Sequence, residues 1–197
     1  MAIHLLVVGE PAQPDPSTSQ ISDAADLARP TETFKVVRCA SPRALVGTVR
    51  GVVRSSFQKV DVLDLFDHGR PGCQEMGDGV LFDHQGAGQD IAHELRPLLT
   101  ADARVRLLGC ETALGHAGQR LLQILAAGFG GSIVVYGTTS LVQAGDPVHH
   151  EFDAHGFKKD REEAFLFSST EAATRLMPSR DARDAEILAW YASLGPP

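Results

Sequence analysis

The sequence predicts a single α/β domain over residues 1–197, built on a mostly parallel sheet of about six strands flanked by helices. Three observations carry that expectation. Short apolar, β-branched runs alternate with segments whose apolar residues recur at helical spacing, the pattern of successive βαβ units. Such units produce a parallel sheet covered on both faces. At 197 residues the chain is long enough to bury one substantial core without disulfide or metal staples.

The first strand is Ile3–Val8, closed by Gly9 and followed by a segment from Pro11 to Gln20 rich in Pro, Ser and Gln, which reads as a loop. Phe34–Cys39 is the second. Ser41 then offers an N-cap and Pro42 a first helical residue, opening a helix to about Phe57. Leu45, Val49, Val52 and Val53 form its inner stripe, leaving Arg43, Arg50 and Arg54 for water. Val60–Phe66 is the third strand. A glycine-rich stretch to Gly88 reads as a loop with a hairpin near Val80–Phe82, and Ile91, Leu95, Leu98 and Leu99 mark a helix. Val105–Gly109 is the fourth strand, Gly115–Ala127 the next helix, Ile133–Tyr136 the fifth strand and Ala164–Phe167 the sixth. The stretch Ala182–Leu194, with Ile187, Leu188, Trp190 and Tyr191, reads as a surface helix. Gly128, Gly130 and Gly131 lie between a helix and a strand and read as turn glycines rather than a phosphate loop.

Hydrophobic residues at 43% and charged residues at 22% describe an ordinary packed domain. The formal charge of −7, with no basic cluster interleaved by aromatics, argues against a nucleic-acid partner. The longest apolar runs fall far short of the roughly 20 residues of a membrane span. With no basic region and no cleavage site near the start, the expectation is a cytoplasmic protein with no membrane partner. Cys39, Cys73 and Cys110 are too few and too irregularly spaced for a disulfide framework.

Reactive groups of open α/β sheets gather at the carboxyl ends of strands. The sequence places His68 directly after the third strand and Cys110 directly after the fourth. A thiol becomes nucleophilic beside an imidazole or a helix N-terminus, and both are expected near Cys110. Gly69, lacking a Cβ, permits close backbone approach, so the Gly69 and Cys110 amides form the expected oxyanion hole.

Several residues have plainer readings. Alone, Cys110 would be a small buried hydrophobe; its pairing with His68 makes the catalytic reading. Asp67 either orients His68 or caps a turn or binds a backbone amide, and the alternation of side chains along a strand favours the latter two. Cys73 sits among turn residues, while Glu111 and Thr112 are expected to satisfy amides at the helix start. His84, His93 and His116 share no metal-ligand spacing. His149 and His150, with Asp153 and His155, have the side chains of a metal site, but their spacing matches no defined one and the solvated-loop reading is preferred, so no metal is expected; a thiol mechanism requires no cofactor.

The strand Val62–Phe66 running into Asp67-His68-Gly69, with Leu107-Leu108-Gly109-Cys110-Glu111-Thr112-Ala113 downstream, resembles the caspase-like cysteine peptidases. It is most similar to CHAT-type domains and their bacterial relatives, in which a Leu-Gly-Cys string enters a glycine-rich helix. The Asp-His-Gly triplet is also similar to that of the legumain type. The likeness runs from about Val60 to Thr138.

The resemblance implies a caspase-like fold and a dyad in which His68 assists the Cys110 nucleophile. It further implies cysteine endopeptidase activity on a polypeptide substrate, with a regulatory protein partner. Leu108 and Gly109 stand where caspases carry Gln-Ala, and Glu111 where they carry Arg, which speaks against specificity for aspartate. Asp146, by analogy with acidic pockets of related peptidases, is the expected substrate-binding residue for a basic side chain. The alternative is an inactive caspase-like interaction or signalling module.

Overall fold

In a computed structural model, the chain is described over residues 2–11, 21, 30–130, 132–139, 142–144, 166–168 and 176–178. The apolar runs become the inner strands β1 (Ile3–Gly9) and β3 (Val60–Phe66), with β2 (Phe34–Cys39) beside β1. A longer strand, β7 (Leu99–Leu107), lies beside β3, and β8 (Val134–Thr138) beside β7. Every pairing among these five is parallel. A sixth strand, β11 (Leu176–Pro178), runs antiparallel on β8, giving the order β11-β8-β7-β3-β1-β2. The mostly parallel α/β sheet is the fold class the sequence predicts, with its five parallel strands in the expected runs and a sixth that was not expected.

The connections are helical where the periodicity predicts. Helix α1 (Pro42–Ser56) starts on Pro42, whose fixed φ and missing N–H suit that position, and it exposes Arg43, Arg50 and Arg54. Helices α2 (Gln89–Leu95) and α3 (Gly115–Phe129) complete the layer. Leu45 and Val49 of α1, Ala92 and Leu95 of α2, and Leu121, Leu122, Leu125 and Phe129 of α3 join Leu5, Val7, Leu63, Leu65, Val105, Leu107 and Val135 of the sheet in one core. The alternate strand residues Leu6, Val8, Phe66, Leu108, Val134 and Tyr136 are buried too, so both faces of the sheet are covered.

Four expectations are corrected. The stretch 69–88 is a three-stranded antiparallel sheet of β4 (Gly69–Arg70), β5 (Cys73–Met76) and β6 (Gly79–Asp83), because Met76, Leu81 and Phe82 plug into the core and anchor it. The helix expected through Leu99 ends at Leu95. Pro97 falls in a 3-10 turn, Arg96–Leu98, and Leu99 already belongs to β7. Gly128 lies inside α3, where a Cβ would approach that of Ala92 at 3.2 Å, and Gly130, at φ 83, is the C-cap. The segment expected as the sixth sheet strand forms β10 (Leu166–Ser168), which pairs instead with β9 (Val142–Ala144) in a separate two-stranded sheet. The loop beyond Pro11, the 182–194 helix and the His149–His155 segment lie outside the described residues.

Strand order positions the site. From β1 the chain passes to β2 on one side, while β3 leads to β7 on the other. In open parallel sheets, such a reversal opens a crevice beyond the carboxyl ends of the two strands between which it falls, here β1 and β3, one strand from β7.

Candidate active site

Strands β3 and β7 are parallel neighbours in the register Leu65↔Leu107, and the Leu108 N–H donates to the Leu65 carbonyl at 2.9 Å. The two chain segments therefore leave the sheet side by side, carrying Asp67-His68-Gly69 and Gly109-Cys110. A Cβ built on Gly69 would lie 2.7 Å from the Gly109 carbonyl carbon and 2.8 Å from the Cys110 nitrogen. One built on Gly109 would lie 2.8 Å from Gly69 Cα and 2.9 Å from the His68 carbonyl oxygen. Only a pair of glycines lets the backbones approach this closely. His68 and Cys110, predicted as a dyad, follow adjacent strand ends, and both are half-buried. The backbones of Gly69 and Cys110, the predicted oxyanion hole, are in contact.

Asp67 binds amides rather than orienting the histidine. Its carboxylate accepts the His68 N–H at 2.6 Å and the Gly77 N–H at 2.5 Å, tying the end of β3 to the β5–β6 turn. Burial nevertheless pushes its pKa above the ordinary carboxylate value; the two amides oppose this but do not cancel it.

The side-chain amide of Gln74, on β5, is fully buried. Its Nε2 donates to the His68 carbonyl at 3.3 Å and to the Glu75 carbonyl at 3.0 Å, while its Oε1 accepts the Gly109 N–H at 2.9 Å. Gln74 thus bridges the two strand ends. On the far side, the buried Thr138 hydroxyl donates to the Gly109 carbonyl. Thr112, equally buried, donates to the Leu107 carbonyl at 3.3 Å and accepts the Thr138 N–H at 3.0 Å. Sequence reasoning missed Gln74 and Thr138. Nothing in Cys73-Gln74-Glu75-Met76 or at the end of β8 distinguishes a buried bridging residue from an exposed one.

Cys110 is not at a helix N-terminus. The chain turns sharply after it, with Glu111 at φ 56, a left-handed conformation that costs a non-glycine residue about 1–3 kcal/mol and clusters at functional sites. The Glu111 carbonyl accepts the Leu114 N–H at 2.9 Å, and α3 begins only at Gly115. The dipole of α3 falls off within a turn, which leaves His68 as the expected activator of the thiol. Glu111 and Thr112 shape this turn and the sheet contact, not the helix start.

The loop between β4 and β5 closes over the turn from the side. The Gly72 N–H donates to the Thr112 carbonyl at 3.1 Å, and the Gly72 carbonyl accepts the His84 N–H at 2.8 Å. Cys73 is buried on β5, and burial raises its thiol above the ordinary value, so it is a poor nucleophile at neutral pH. Cys39 is likewise buried and raised by burial, and none of the three cysteines is in a disulfide. Among the described residues no cluster of His, Cys, Asp or Glu is arranged to hold a metal ion. Asp146 lies outside the described residues.

Residues 18–139 match the family described as Domain of unknown function (DUF4347). The chain belongs to this family. The matched span contains both strand ends, the Gln74 bridge and Thr138, so the clamped His68 and Cys110 segments lie within the DUF4347 region. The comparisons with curated proteins and with solved structures found no match.

Proposed function

We propose that this DUF4347 protein is a caspase-like cysteine endopeptidase in which Cys110 is the nucleophile and His68 its acid–base partner. The observation that carries the reading is the contact between the His68-Gly69 and Gly109-Cys110 backbones at the carboxyl ends of neighbouring parallel strands. His68 takes the proton from the Cys110 thiol, and the thiolate attacks the peptide carbonyl carbon. The resulting oxyanion is held by the Gly69 and Cys110 amides. When the carbon–nitrogen bond breaks, His68 delivers the proton to the leaving amine. Water, deprotonated by His68, then releases the acyl group as a carboxylate and restores the thiol. The chemistry needs no cofactor.

The substrate is a polypeptide, the setting is the cytoplasm and a regulatory protein is a partner. Among the described residues no helix is long and apolar enough to cross a membrane. The residue before the scissile bond is basic, with Asp146 as its counter-charge.

A peptidyl electrophile should label the wild-type chain once, on Cys110, and leave Cys110→Ala unlabelled. Label on Cys110→Ala, or none on a folded wild-type chain, defeats the peptidase reading; the latter would instead fit an interaction or signalling module. Cleavage profiling on a peptide library tests the specificity, and a preference for aspartate or small apolar residues there would overturn the basic assignment.

A further inference from the structure

We propose that Thr138 and Gln74 are positioning residues that fix the Gly109–Cys110 peptide and so aim the Cys110 amide and thiol at the substrate carbonyl. The inference rests on the peptidase reading of Cys110. Its basis is that one glycine residue is gripped through both of its main-chain polar groups by fully buried side chains. The Gly109 N–H is held by Gln74 Oε1 at 2.9 Å, and the Gly109 carbonyl is held by the Thr138 hydroxyl. Glycine is the residue whose backbone most needs such restraint, since nothing of its own limits φ and ψ.

The direction of the grip matters. In a trans peptide the carbonyl and the following N–H point opposite ways, and there is no cis bond among the described residues. Thr138 ends β8, which flanks β7 on the side away from β3. Drawing the Gly109 carbonyl toward β8 therefore turns the Cys110 N–H toward the β3 side. There the site of a Gly69 Cβ lies 2.8 Å from the Cys110 nitrogen. The same restraint sets where the Cys110 side chain leaves the backbone. Gln74 adds the second coordinate, because its Nε2 holds the His68 carbonyl at 3.3 Å while its Oε1 holds Gly109, locking the histidine and cysteine segments at one spacing.

Thr138 is itself held from behind. Its N–H donates to the Thr112 hydroxyl at 3.0 Å, and its carbonyl accepts the Ala113 N–H at 2.8 Å. The segments on either side of the sharp turn at Glu111 are thus pinned to β8, so a displacement at Thr138 is transmitted to Cys110 rather than absorbed by a loose loop. Neither side chain touches the substrate in this arrangement. Their effect passes through the peptide they hold, and it should appear in steps that use the amide as a hydrogen-bond donor.

The test compares Thr138→Val, which deletes the hydroxyl at nearly constant shape, with Thr138→Ser, which keeps it, using Gln74→Met as a second break in the clamp. Three quantities are read on each folded chain: peptide hydrolysis, inhibition by a peptidyl aldehyde and alkylation by iodoacetamide. The aldehyde forms a tetrahedral adduct that uses the oxyanion contacts, whereas iodoacetamide reacts by simple displacement and does not. In Thr138→Val, kcat and aldehyde affinity should each fall roughly tenfold to a hundredfold, with KM and the iodoacetamide rate held within about twofold. Thr138→Ser should recover most of the loss, and Gln74→Met, which also frees the His68 segment, should lower kcat and aldehyde affinity at least as far and the iodoacetamide rate with them. Wild-type kcat in Thr138→Val overturns the inference. So does an equal fall in the iodoacetamide rate without rescue by Ser, the mark of a merely structural residue. A wild-type chain that neither cleaves peptides nor binds the aldehyde overturns the peptidase reading itself, and that failure is visible before any variant is made.

Discussion

Two buried aspartates, Asp64 within β3 and Asp67 just beyond its end, meet burial in opposite ways. Burial pushes both carboxyl groups upward. At Asp64 the Arg106 guanidinium, the His4 imidazole and their hydrogen bonds outweigh it, pulling the group down to about 2. Arg106 on β7 binds both carboxylate oxygens, and His4 Nε2 on β1 lies 2.6 Å from Oδ2. Among the described residues Asp67 has only backbone amides as its hydrogen-bond donors, and burial wins. Mid-strand, neighbouring strands can bring full charges to a carboxylate; at the strand end, what surrounds it is loop backbone. The first arrangement fixes the sheet, and the second shapes the ground under His68.

The largest expected effect breaks the mid-sheet cluster. Asp64→Asn takes the carboxylate that binds both Nε and Nη2 away from the buried Arg106 and should destabilise the fold by about 3–5 kcal/mol in urea unfolding. Replacing Asp64 and Arg106 together by Leu and Met should recover much of that loss. A single variant as stable as wild type would mean that Arg106 finds water, and the contrast with Asp67 would fail. Because the folded value of Asp64 is depressed, its stabilisation is complete above its ordinary value of 3.8 and is lost as pH falls through about 2. That loss amounts to about 2 kcal/mol.

Next in size is Gly69→Ala, whose methyl would press on the Gly109 and Cys110 backbones. Overpacking of this kind costs about 1–3 kcal/mol and should separate the strand ends, so labelling of Cys110 by a peptidyl electrophile should fall further than the melting temperature suggests. Retained labelling would show that the contact is incidental.

Asp67→Asn sharpens the comparison through its pH dependence. The folded value of Asp67 is raised, so its ionisation opposes folding as pH rises from its ordinary 3.8 through the elevated folded value. The variant lacks that penalty, although it loses one of the two amide acceptors. Its stability relative to wild type should therefore improve with rising pH, opposite in sign to the Asp64 contribution. A flat difference in chemical denaturation between pH 4 and pH 7 would contradict the raised value.

The smallest structural effect belongs to Cys110→Ala. The half-exposed thiol leaves little void, so unfolding should shift by less than about 1 kcal/mol while labelling disappears. An unfolded variant would make Cys110 a packing residue.

The legible parts of this molecule were those with local signatures. The strand runs, Ser41-Pro42 and the stripe of α1 could each be read within a few residues, because backbone propensity and side-chain periodicity act at that range. The positions of His68 and Cys110 at strand ends were legible for the same reason. The His4–Asp64–Arg106 cluster left only an indirect trace, charges set in apolar strands at Asp64 and Arg106, because its partners are far apart in the chain. Of the stretch 69–88 only the hairpin near Val80–Phe82 was legible, because the glycines around it signal turns, while Met76, Leu81 and Phe82 find their core only once the main sheet exists.

By itself the sequence determined a parallel α/β sheet, a histidine and a cysteine each delivered by a strand, and a glycine beside each. Tertiary structure alone decided that β3 and β7 are neighbours, that the two glycines meet, and that Gln74 and Thr138 grip Gly109. It also decided that α3 starts too late to serve Cys110. The reason is physical. A strand announces itself through its own side chains, but hydrogen bonds between distant segments depend on strand order and register, which are settled by how the whole core packs.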